Sequence, residues 1–555
     1  MWTPKPLLPE YSISDWEQKP FFERLKMVCA SWAIQGYGTP TLLYFVYLLK
    51  IGFYVWMWGF FCGFSPGMGD WSTIGSWWHL QTAFQKAVLW SVLFEVLGLG
   101  CGSGPLTGRY FPPFGGALYF LRPGTTKLPL FPNLPLLGGV RRNILDVLVY
   151  AALIGFLTRA LIAPAITMEL VWPIVGLVLL AGLLDKTIFL AARSDHYLAA
   201  IICYLFAGQE IAGSKLVWVA IWWGAATSKL NRHFPSVVAV MISNSPVTRI
   251  FPPMRKLMYR NYPEDLRPSR LTTMMAHMGT VTEYSFPLVL LLSPGGQVTQ
   301  IALITMLLFH IFISSHVPMG VPLEWNVVMV YGAFVLFGAN AGVSVLSLSS
   351  PLLIAALAIL LLVIPLIGNF FPRFISFLCS MRYYAGNWGV SVWLFKGDAS
   401  RKLDENLTKA APRVMDQLAR FYDEDTVKAV ASKVIAFRAM HLHGRTLRLL
   451  LPRAVDDIED YEYWDGELVA GVVLGWNFGE GHLHNHNLLR AVQAQCDFKP
   501  GELRHIFLES QPMGRARWDW TISDAATGVI EKGQTRIDEV IDVQPWDPAP
   551  NAARS

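Results

Sequence analysis

Several ionisable residues lie in or beside long apolar segments of the chain. Lys229 ends a tryptophan-rich run, Glu283 begins a later apolar segment, and His310 lies inside the next one; Glu95 and His316 share this setting. Such groups usually face a cavity or a charged partner, and a shielded site can shift an acid or base toward catalysis. The alternatives are structural hydrogen bonding and, for Lys229, a contact between the amine and lipid headgroups. The pattern therefore makes these residues candidates for acid–base chemistry.

A second group of candidates lies near the C-terminus, where His482, His484 and His486 alternate. On an extended segment alternate side chains face the same way, so three imidazoles could bind a metal ion. Asn485 followed by an apolar periodicity instead indicates the start of a helix. A polar loop before a helix is the alternative to the metal site.

The composition indicates the setting of these residues. The chain has 555 residues, of which 53% are hydrophobic and 15% are charged, whereas soluble proteins carry about 25% charged residues. We expect a polytopic membrane protein with a soluble portion. The six cysteines form no C-x-x-C pair, and basic runs interleaved with aromatic residues are absent. These features favour neither a disulfide scaffold nor a nucleic-acid partner.

Apolar segments predict about ten membrane spans, with an uncertainty of one or two because three segments are short. They cover residues 40–62, 82–100, 143–162, 168–184, 196–209, 213–228, 284–294, 298–318, 325–347 and 351–370. The glycine-rich stretch 98–104 lacks the spacing of a phosphate loop and is interpreted as a flexible helix exit.

The basic residues are concentrated in alternate loops, as the positive-inside rule predicts for cytoplasmic loops. The loops at 101–142, 185–195 and 229–283 hold nearly all the Arg and Lys residues of the membrane region. This distribution predicts a multi-pass protein of the plasma membrane with both termini in the cytoplasm. Membrane lipids are its expected partners, and the basic loop 231–283 is expected to contact anionic headgroups.

Charged residues return after residue 383, and this change predicts a soluble α+β domain at the C-terminus. Helices are expected over Lys402–Tyr422 and Asp425–Met440, a buried strand over 468–476, and strands over 505–510 and 516–522, the latter turning into a hairpin. The acidic run 456–462 is expected to be a solvated surface. The predicted organisation is a cytoplasmic amphipathic segment (1–36), a helical transmembrane domain (37–375), the α+β domain (376–545) and a disordered tail (546–555).

Two stretches resemble the membrane domain of the vitamin K-dependent gamma-carboxylases and their bacterial relatives, the HTTM proteins. The first is the small-residue run Gly224-Ala-Ala-Thr-Ser-Lys229-Leu230 with Phe234 downstream, and the second is the Glu283–Pro287 segment with the Phe309-His310 helix. The resemblance covers about 200 residues. It implies that Lys229 is a catalytic base. The whole chain also resembles an uncharacterised transmembrane family of actinobacteria, which implies no function.

The carboxylase-like resemblance implies an enzyme that acts on a quinol or another lipid-soluble substrate, with a reduced, menaquinol-type quinone as cofactor. Lys229 would remove a proton, and His310 and Glu283 would orient groups or relay protons. Arg232 would favour the neutral amine of Lys229 by its positive charge. The candidate substrate- and lipid-binding residues are Arg232, Trp222, Trp223 and Ser314.

A non-enzymatic function is the alternative. The protein would then be a lipid- or quinone-binding membrane scaffold, or a partner in envelope-lipid transport, whose cytoplasmic tail binds another protein. The two hypotheses differ in geometry. Convergence of Lys229, Glu283 and His310 on one pocket favours the enzyme, whereas a Lys229 amine that points toward headgroups favours the scaffold.

Overall fold

The chain forms a long helical region followed by a region built around one β-sheet. The computed structural model describes residues 5–100, 115–135, 137–316, 323–383, 385–476 and 480–547. The helices of the first region are α1 Ile13–Glu17, α2 Phe21–Gln35, α3 Thr41–Cys62, α4 Ile74–Trp77, α5 Gln81–Val96, α6 Gly115–Phe120, α7 Ile144–Ile162, α8 Met168–Leu184, α9 Lys186–Ala191, α10 Tyr197–Cys203, α11 Glu210–Ser228, α12 Phe234–Asn244, α13 Pro246–Arg249, α14 Pro252–Leu257, α15 Arg270–Leu292, α16 Gly296–Ser314, α17 Leu323–Ala333, α18 Pro351–Ala358 and α19 Ile364–Phe370.

Two short strands, β1 Tyr259–Asn261 and β2 Asp265–Pro268, pair between α14 and α15. Helix α17 continues as a π-helix over Phe334–Ala339, and the π-helix Ile359–Val363 joins α18 to α19. The later elements are β3 Val390–Lys396, α20 Arg401–Asn406, α21 Val414–Leu418, α22 Glu424–Met440, α23 Leu447–Ala454, β4 Tyr461–Asp465, α24 Gly466–Val473, α25 His486–Cys496, β5 Leu503–Leu508, β6 Arg517–Asp524 and β7 Gly528–Arg536.

Among the described residues, four helices are long and apolar enough to cross a membrane: Thr41–Cys62, Ile144–Ile162, Gly296–Ser314 and Pro351–Phe370. The prediction of ten spans is therefore not confirmed. Two of the other predicted segments differ in length from the helices that the structure contains. The segment predicted at 196–209 contains the seven-residue α10, and the segment predicted at 284–294 is the end of the 23-residue α15.

The surface of α16 shows why these helices need a membrane. Ile301, Ile304, Leu308 and Ile311 are each more than half exposed. Their spacing of three and four residues places them on one face of the helix. In water this face would expose a continuous apolar stripe, whereas hydrocarbon chains solvate it without cost. Burial is concentrated on the opposite face, which includes His310.

The C-terminal region contains an antiparallel sheet in the order β4-β3-β5-β6-β7. The predicted hairpin is present as β6 and β7. In its turn, an Asp524 carboxylate oxygen accepts hydrogen bonds from the backbone N–H groups of Ala526 and Thr527. Gly528 then adopts a φ of 89°, which glycine tolerates best. The predicted helix at Asp425–Met440 is also present, as α22.

Two expectations for the C-terminal region were wrong, and a third was confirmed. Residues 468–476 lie mostly in α24 and not in a strand, because a short run of buried apolar residues does not distinguish the two by periodicity. The helix predicted at Lys402–Tyr422 divides into α20 and α21, with Pro412 between them. The acidic run 456–462 is largely solvated, as predicted, since Asp456, Asp457, Glu459 and Asp460 are exposed, and its last two residues begin the edge strand β4.

The N-terminal helix α2 packs on α12 and on α22 of the C-terminal region. The Trp32 indole donates a hydrogen bond to the backbone carbonyl of Val240 at 3.2 Å, and Arg24 forms an ion pair with Glu459 at 2.7 Å. The buried side of the amphipathic N-terminal segment therefore contacts protein. These contacts join the N-terminal helix α2 to the C-terminal region.

Candidate functional site

Lys229 and Glu283 form a buried ion pair between α11 and α15. Lys229 follows the last residue of α11 and is 8% exposed, and Glu283 lies inside α15 and is 3% exposed. The Lys229 amine also lies 5.4 Å from the ring centroid of Phe234 and 5.5 Å from that of Phe309. Aromatic faces and a carboxylate together stabilise a cation that has lost its water. The amine therefore points into the protein and not toward headgroups.

His310 lies on α16 and has hydrogen-bond partners at both ring nitrogens. The Trp222 indole N–H donates to Nε2 at 3.0 Å, and Nδ1 lies 2.7 Å from the Asn326 carbonyl oxygen. Since Nε2 accepts a hydrogen bond, the ring is neutral and carries its proton on Nδ1, which donates to Asn326. Trp222, one of the predicted binding residues, thus fixes the tautomer of His310. In this arrangement His310 has no free nitrogen for proton relay.

A cavity of about 470 Å³ lies beside His310, between α3, α5, α16 and α17. Its volume is within the range of small-molecule sites, and apolar and aromatic groups form most of its wall. The half-exposed Ile311 belongs to the lining, so the cavity reaches the lipid-facing surface of the bundle. The lining residues are Tyr54, Val55, Trp58, Ala87, Trp90, Leu307, His310, Ile311, Ser314, Asn326, Val327, Val328, Val330 and Tyr331.

The ion pair and the cavity are neighbouring but separate. His310 lines the cavity, whereas Lys229 and Glu283 do not. Phe309 contacts both groups: its ring centroid lies 5.5 Å from the Lys229 amine and 6.2 Å from the ring centroid of His310. The structure thus brings Lys229 and Glu283 into contact and places His310 beside an aromatic ring that they share. The predicted convergence of all three on one pocket is met in part.

The other predicted binding residues have different surroundings. Ser314 lines the cavity. The Trp223 indole donates to the backbone carbonyl of Tyr284 at 3.2 Å and so joins α11 to α15. Arg232 is largely exposed and pairs with Asp538 at 2.8 Å. A cation neutralised by an exposed carboxylate has little effect on a buried amine, so the structure does not support the role expected for Arg232 beside Lys229.

The three histidines near the C-terminus have separate partners. His482 pairs with Glu509 at 3.1 Å, and His484 Nδ1 lies 2.8 Å from the Ser391 hydroxyl. His486 is the first residue of α25 and is exposed. Asn485 caps this helix, in agreement with the predicted helix start. Within the described ranges, no group of three or more His, Cys, Asp and Glu side chains is arranged to hold a metal ion. The geometry therefore gives the predicted metal site no support.

The His482–Glu509 pair has shifted protonation equilibria outside the membrane region. Burial acts to lower the pKa of His482, but the charge and hydrogen bond of Glu509 and the charge of Glu480 together outweigh it, so the pKa is raised. Burial likewise acts to raise the pKa of Glu509, and His482 with the Ser510 donors lowers it overall. Each group therefore favours the charged form of the other. The pair is an ionic contact between the loop that precedes α25 and the residue that follows β5.

Sequence reasoning missed a second polar cluster in the helical region. The Lys50 amine lies 3.7 Å from the Glu324 carboxylate, and the Arg193 guanidinium lies 3.7 Å from the Glu95 carboxylate. Glu95 was recognised as unusual, but its neighbours were not. Lys50 lies inside the first apolar segment and Glu324 beside a later one, so the same signal could have found both.

The comparisons with known proteins give a family and no activity. A family model described as "Transmembrane protein of unknown function (DUF3556)" matches residues 1–554. This match confirms the resemblance of the whole chain to an uncharacterised transmembrane family. No curated protein matches, and no solved structure matches.

Proposed function

The chain belongs to this family of transmembrane proteins of unknown function, and we propose that it is a membrane enzyme acting on a lipid-soluble, quinol-type substrate. The substrate occupies the cavity beside His310, and the Lys229–Glu283 pair supplies the acid–base chemistry. The observation that carries the proposal is the burial of this ion pair directly behind the wall of an apolar cavity. Buried ion pairs stabilise a fold poorly compared with apolar packing, which favours a chemical reason for this one.

The cavity has the chemistry that a reduced quinone requires. Its aromatic walls, Trp58, Trp90 and Tyr331, suit an apolar ring, and Asn326 and Ser314 provide polar groups for a ring hydroxyl. The access beside Ile311 lets a substrate enter from the lipid phase. The neutral His310 holds Asn326 in position through its Nδ1–H. The residues present therefore fit a menaquinol-type molecule.

The ion pair can give a neutral amine by proton transfer within the pair, without exchanging a proton with solvent. Transfer of one proton from the Lys229 ammonium to the Glu283 carboxylate gives an amine and a carboxylic acid, and a low-dielectric interior disfavours the two separated charges. The amine can then accept a proton from a substrate hydroxyl, which leaves the substrate as its anion beside an ammonium. Since neither residue of the pair lines the cavity and the Phe309 ring faces the Lys229 amine, this step requires the Phe309 side chain to move.

One observation favours the non-enzymatic alternative. Neither Lys229 nor Glu283 lines the cavity, so the cavity can bind a quinone or lipid while the ion pair serves only to join α11 to α15. In that case the protein is a membrane scaffold or a lipid-transport partner, and its sheet-containing C-terminal region is the expected site for a protein partner.

Two matched variants test whether the cavity binds a lipid-soluble molecule. Leu307 lines the cavity, and Leu308, its neighbour on α16, faces outward. Leu307→Trp should lower the amount of any copurifying quinone or lipid at least tenfold, as measured by mass spectrometry. Leu308→Trp should retain it. Equal retention by both variants would show that the cavity is not the binding site.

A third variant separates the enzyme from the scaffold. Lys229→Arg keeps a cation for Glu283, but a guanidinium does not lose its proton and cannot act as a base. The enzyme predicts that Lys229→Arg retains the copurifying molecule and loses quinol-dependent turnover by at least 100-fold, on the order of general-base effects. Full turnover in this variant would remove the catalytic role of Lys229.

A further inference from the structure

A second cavity, the arginine pocket, lies at the start of α15 and has a volume of about 800 Å³. Its lining contains two arginines, a histidine and two hydroxyl groups and, within the described part of the chain, no acidic side chain. The lining residues are Arg260, Pro268, Ser269, Arg270, Thr273, Met274 and His277. Guanidinium groups and hydroxyl donors without a carboxylate suit an anion.

The β1–β2 hairpin brings Arg260 back to the first turn of α15. Tyr259, its neighbour on β1, pairs with Pro268 of β2, and the Ser269 N–H donates to the backbone carbonyl of Met258 at 2.9 Å. The Ser269 side chain caps α15, and the arginine side chains supply the positive charge of the pocket. Residues that the sequence separates by a whole hairpin thus form one wall.

Both arginines are available to a ligand. Arg270 is exposed and has no ion-pair partner among the residues that the structure describes. Arg260 lies 3.7 Å from Asp542, which also lies 3.5 Å from Arg267. The side chains of Arg260 and Asp542 are 49% and 70% exposed, so water weakens their contact. An anion in the pocket can therefore contact both guanidinium groups without breaking a buried ion pair.

The arginine pocket lies close to the end of α16, which is long and apolar enough to cross a membrane. Helices α15 and α16 pack together and are joined by the short segment 293–295, so they run antiparallel. Helix α15 has 23 residues and α16 has 19. The longer helix therefore begins about one turn beyond the end of α16. This is the depth expected for lipid headgroups.

The wall of the arginine pocket continues along α15 as an exposed apolar stripe. Met274, which lines the pocket, is more than half exposed, as are Met278 and Val281, and Leu288 continues the stripe. Their spacing of four, three and seven residues keeps them on one face of the helix. A molecule with a phosphate group and a hydrocarbon chain can contact the arginines and the stripe together. A free anion can contact only the arginines.

We propose that the arginine pocket binds the phosphate group of an anionic phospholipid, whose acyl chain lies along Met274, Met278 and Val281. The guanidinium forks of Arg260 and Arg270 donate to the phosphate oxygens. Their two positive charges exceed the single charge of a phosphodiester, which disfavours a headgroup that carries an ammonium. This binding site is separate from the cavity beside His310 and goes beyond the proposed function.

Native mass spectrometry of the full-length protein in detergent tests the site. Titration with phosphatidylglycerol should show one tightly bound lipid, and phosphatidylcholine, whose ammonium the arginines repel, should bind more weakly. Arg260→Gln and Arg270→Gln should each weaken the binding of phosphatidylglycerol by about tenfold or more, the size of a hydrogen bond to a charged group. Both replaced side chains are exposed, so Tm should stay close to that of the native protein.

The matched control is Lys256→Gln, because Lys256 is an exposed cation of the same basic loop outside the pocket lining. Its affinity for phosphatidylglycerol should equal that of the native protein. An equal loss in all three variants would overturn the proposal, since it would show a diffuse attraction between the loop and anionic lipid. Native affinity in both arginine variants would also overturn it, since the lipid would then bind elsewhere.

Two further measurements separate the phospholipid from other occupants and other sites. Inorganic phosphate in large excess should displace little phosphatidylglycerol, because it makes no contact with the apolar stripe. Ready displacement would assign the pocket to a soluble phosphate compound and overturn the proposal. Leu307→Trp, which fills the cavity beside His310, should leave phosphatidylglycerol binding unchanged. Loss of the tightly bound lipid in this variant would place the lipid in that cavity and overturn the proposal, whereas the proposed enzymatic activity would still stand.

Discussion

Lys229 at the end of α11 and Glu283 in the middle of α15 form an ion pair across 54 residues of sequence. The pair belongs to a polar seam between the two helices. The Thr227 hydroxyl hydrogen-bonds with that of Tyr284 at 2.6 Å, and the Trp223 indole donates to the Tyr284 backbone. This seam fixes the Lys229 amine inside the protein. Lys229 therefore has a structural role in joining α11 to α15, and any chemical role is additional to it.

Removal of the amine alone should destabilise the protein strongly. Lys229→Met leaves the Glu283 charge buried without its partner, at a cost of about 3–5 kcal/mol. The double variant Lys229→Met/Glu283→Leu replaces both charges with apolar groups and should recover much of this loss. Thermal unfolding of the purified proteins in one detergent measures the difference. If the loss in the double variant equals the sum of the losses in Lys229→Met alone and Glu283→Leu alone, the two side chains do not interact.

The Trp222–His310 hydrogen bond should contribute both to stability and to ligand retention. Trp222→Phe removes the indole N–H and leaves the His310 Nε2 lone pair buried and unsatisfied, at a cost of about 1–3 kcal/mol. It should also loosen Asn326 and lower the retention of a bound quinone or lipid. Trp223→Phe is the control, because its indole bonds only to the backbone of Tyr284. If both variants retain the bound molecule equally, His310 does not position the cavity wall.

Local sequence patterns predicted much of the fold, and the site depended on contacts between distant residues. Apolar periodicity found the helices at 41–62, 144–162 and 296–314, where one stripe is repeated over the whole helix. It did not separate spanning helices from helices buried among protein, because both are apolar. The strand β3 was missed, since its nearly uniform burial at the centre of the sheet removes the alternation on which the prediction rests.

The candidate site shows the same limit. Lys229, Glu283 and His310 were found because each is an ionisable residue in an apolar context, a property that the sequence displays directly. Asn326 and Tyr54 were missed because a polar side chain of ordinary type gives no such signal. Their importance comes from the cavity, which forms only when α3, α16 and α17 meet.

The His482–Glu509 pair should make stability depend on pH. The raised pKa of His482 contributes stability that is complete below roughly pH 6.5 and is lost as the pH rises through the folded-state value. The lowered pKa of Glu509 contributes stability above roughly pH 4.3 that is lost in more acidic solution. Glu509→Gln should therefore lower Tm most between roughly pH 5 and 6.5, and less at pH 9.

The control for this pair is the exposed Glu405, whose replacement by Gln should leave the pH profile of Tm unchanged. The measurement is Tm of the full-length protein at matched ionic strength across that range. A loss of Tm in Glu509→Gln that is constant from pH 5 to pH 9 would assign Glu509 a packing role in place of an ionic one.

Lys433 on α22 should give the opposite pH dependence from an ion-paired lysine. Its amine is buried against α2, where its partners are the uncharged Ser31, at 2.6 Å, and Gln35, at 3.3 Å. Burial lowers the pKa of Lys433 to about 7. Between roughly pH 7 and 10 the unfolded chain holds a proton that the folded protein lacks, so this group makes stability rise with pH.

Lys433→Met removes the penalty for burying the charged amine while nearly conserving its volume. It should raise stability by about 1–3 kcal/mol at pH 6, and the gain should shrink toward pH 9, where the native amine is neutral. Lys428→Met, on the same helix, should lower stability at both pH values, because Lys428 pairs with Glu17 and Glu424, each at 2.8 Å. If Lys433→Met loses stability equally at pH 6 and pH 9, the hydrogen bonds to Ser31 and Gln35 outweigh the desolvation of the amine.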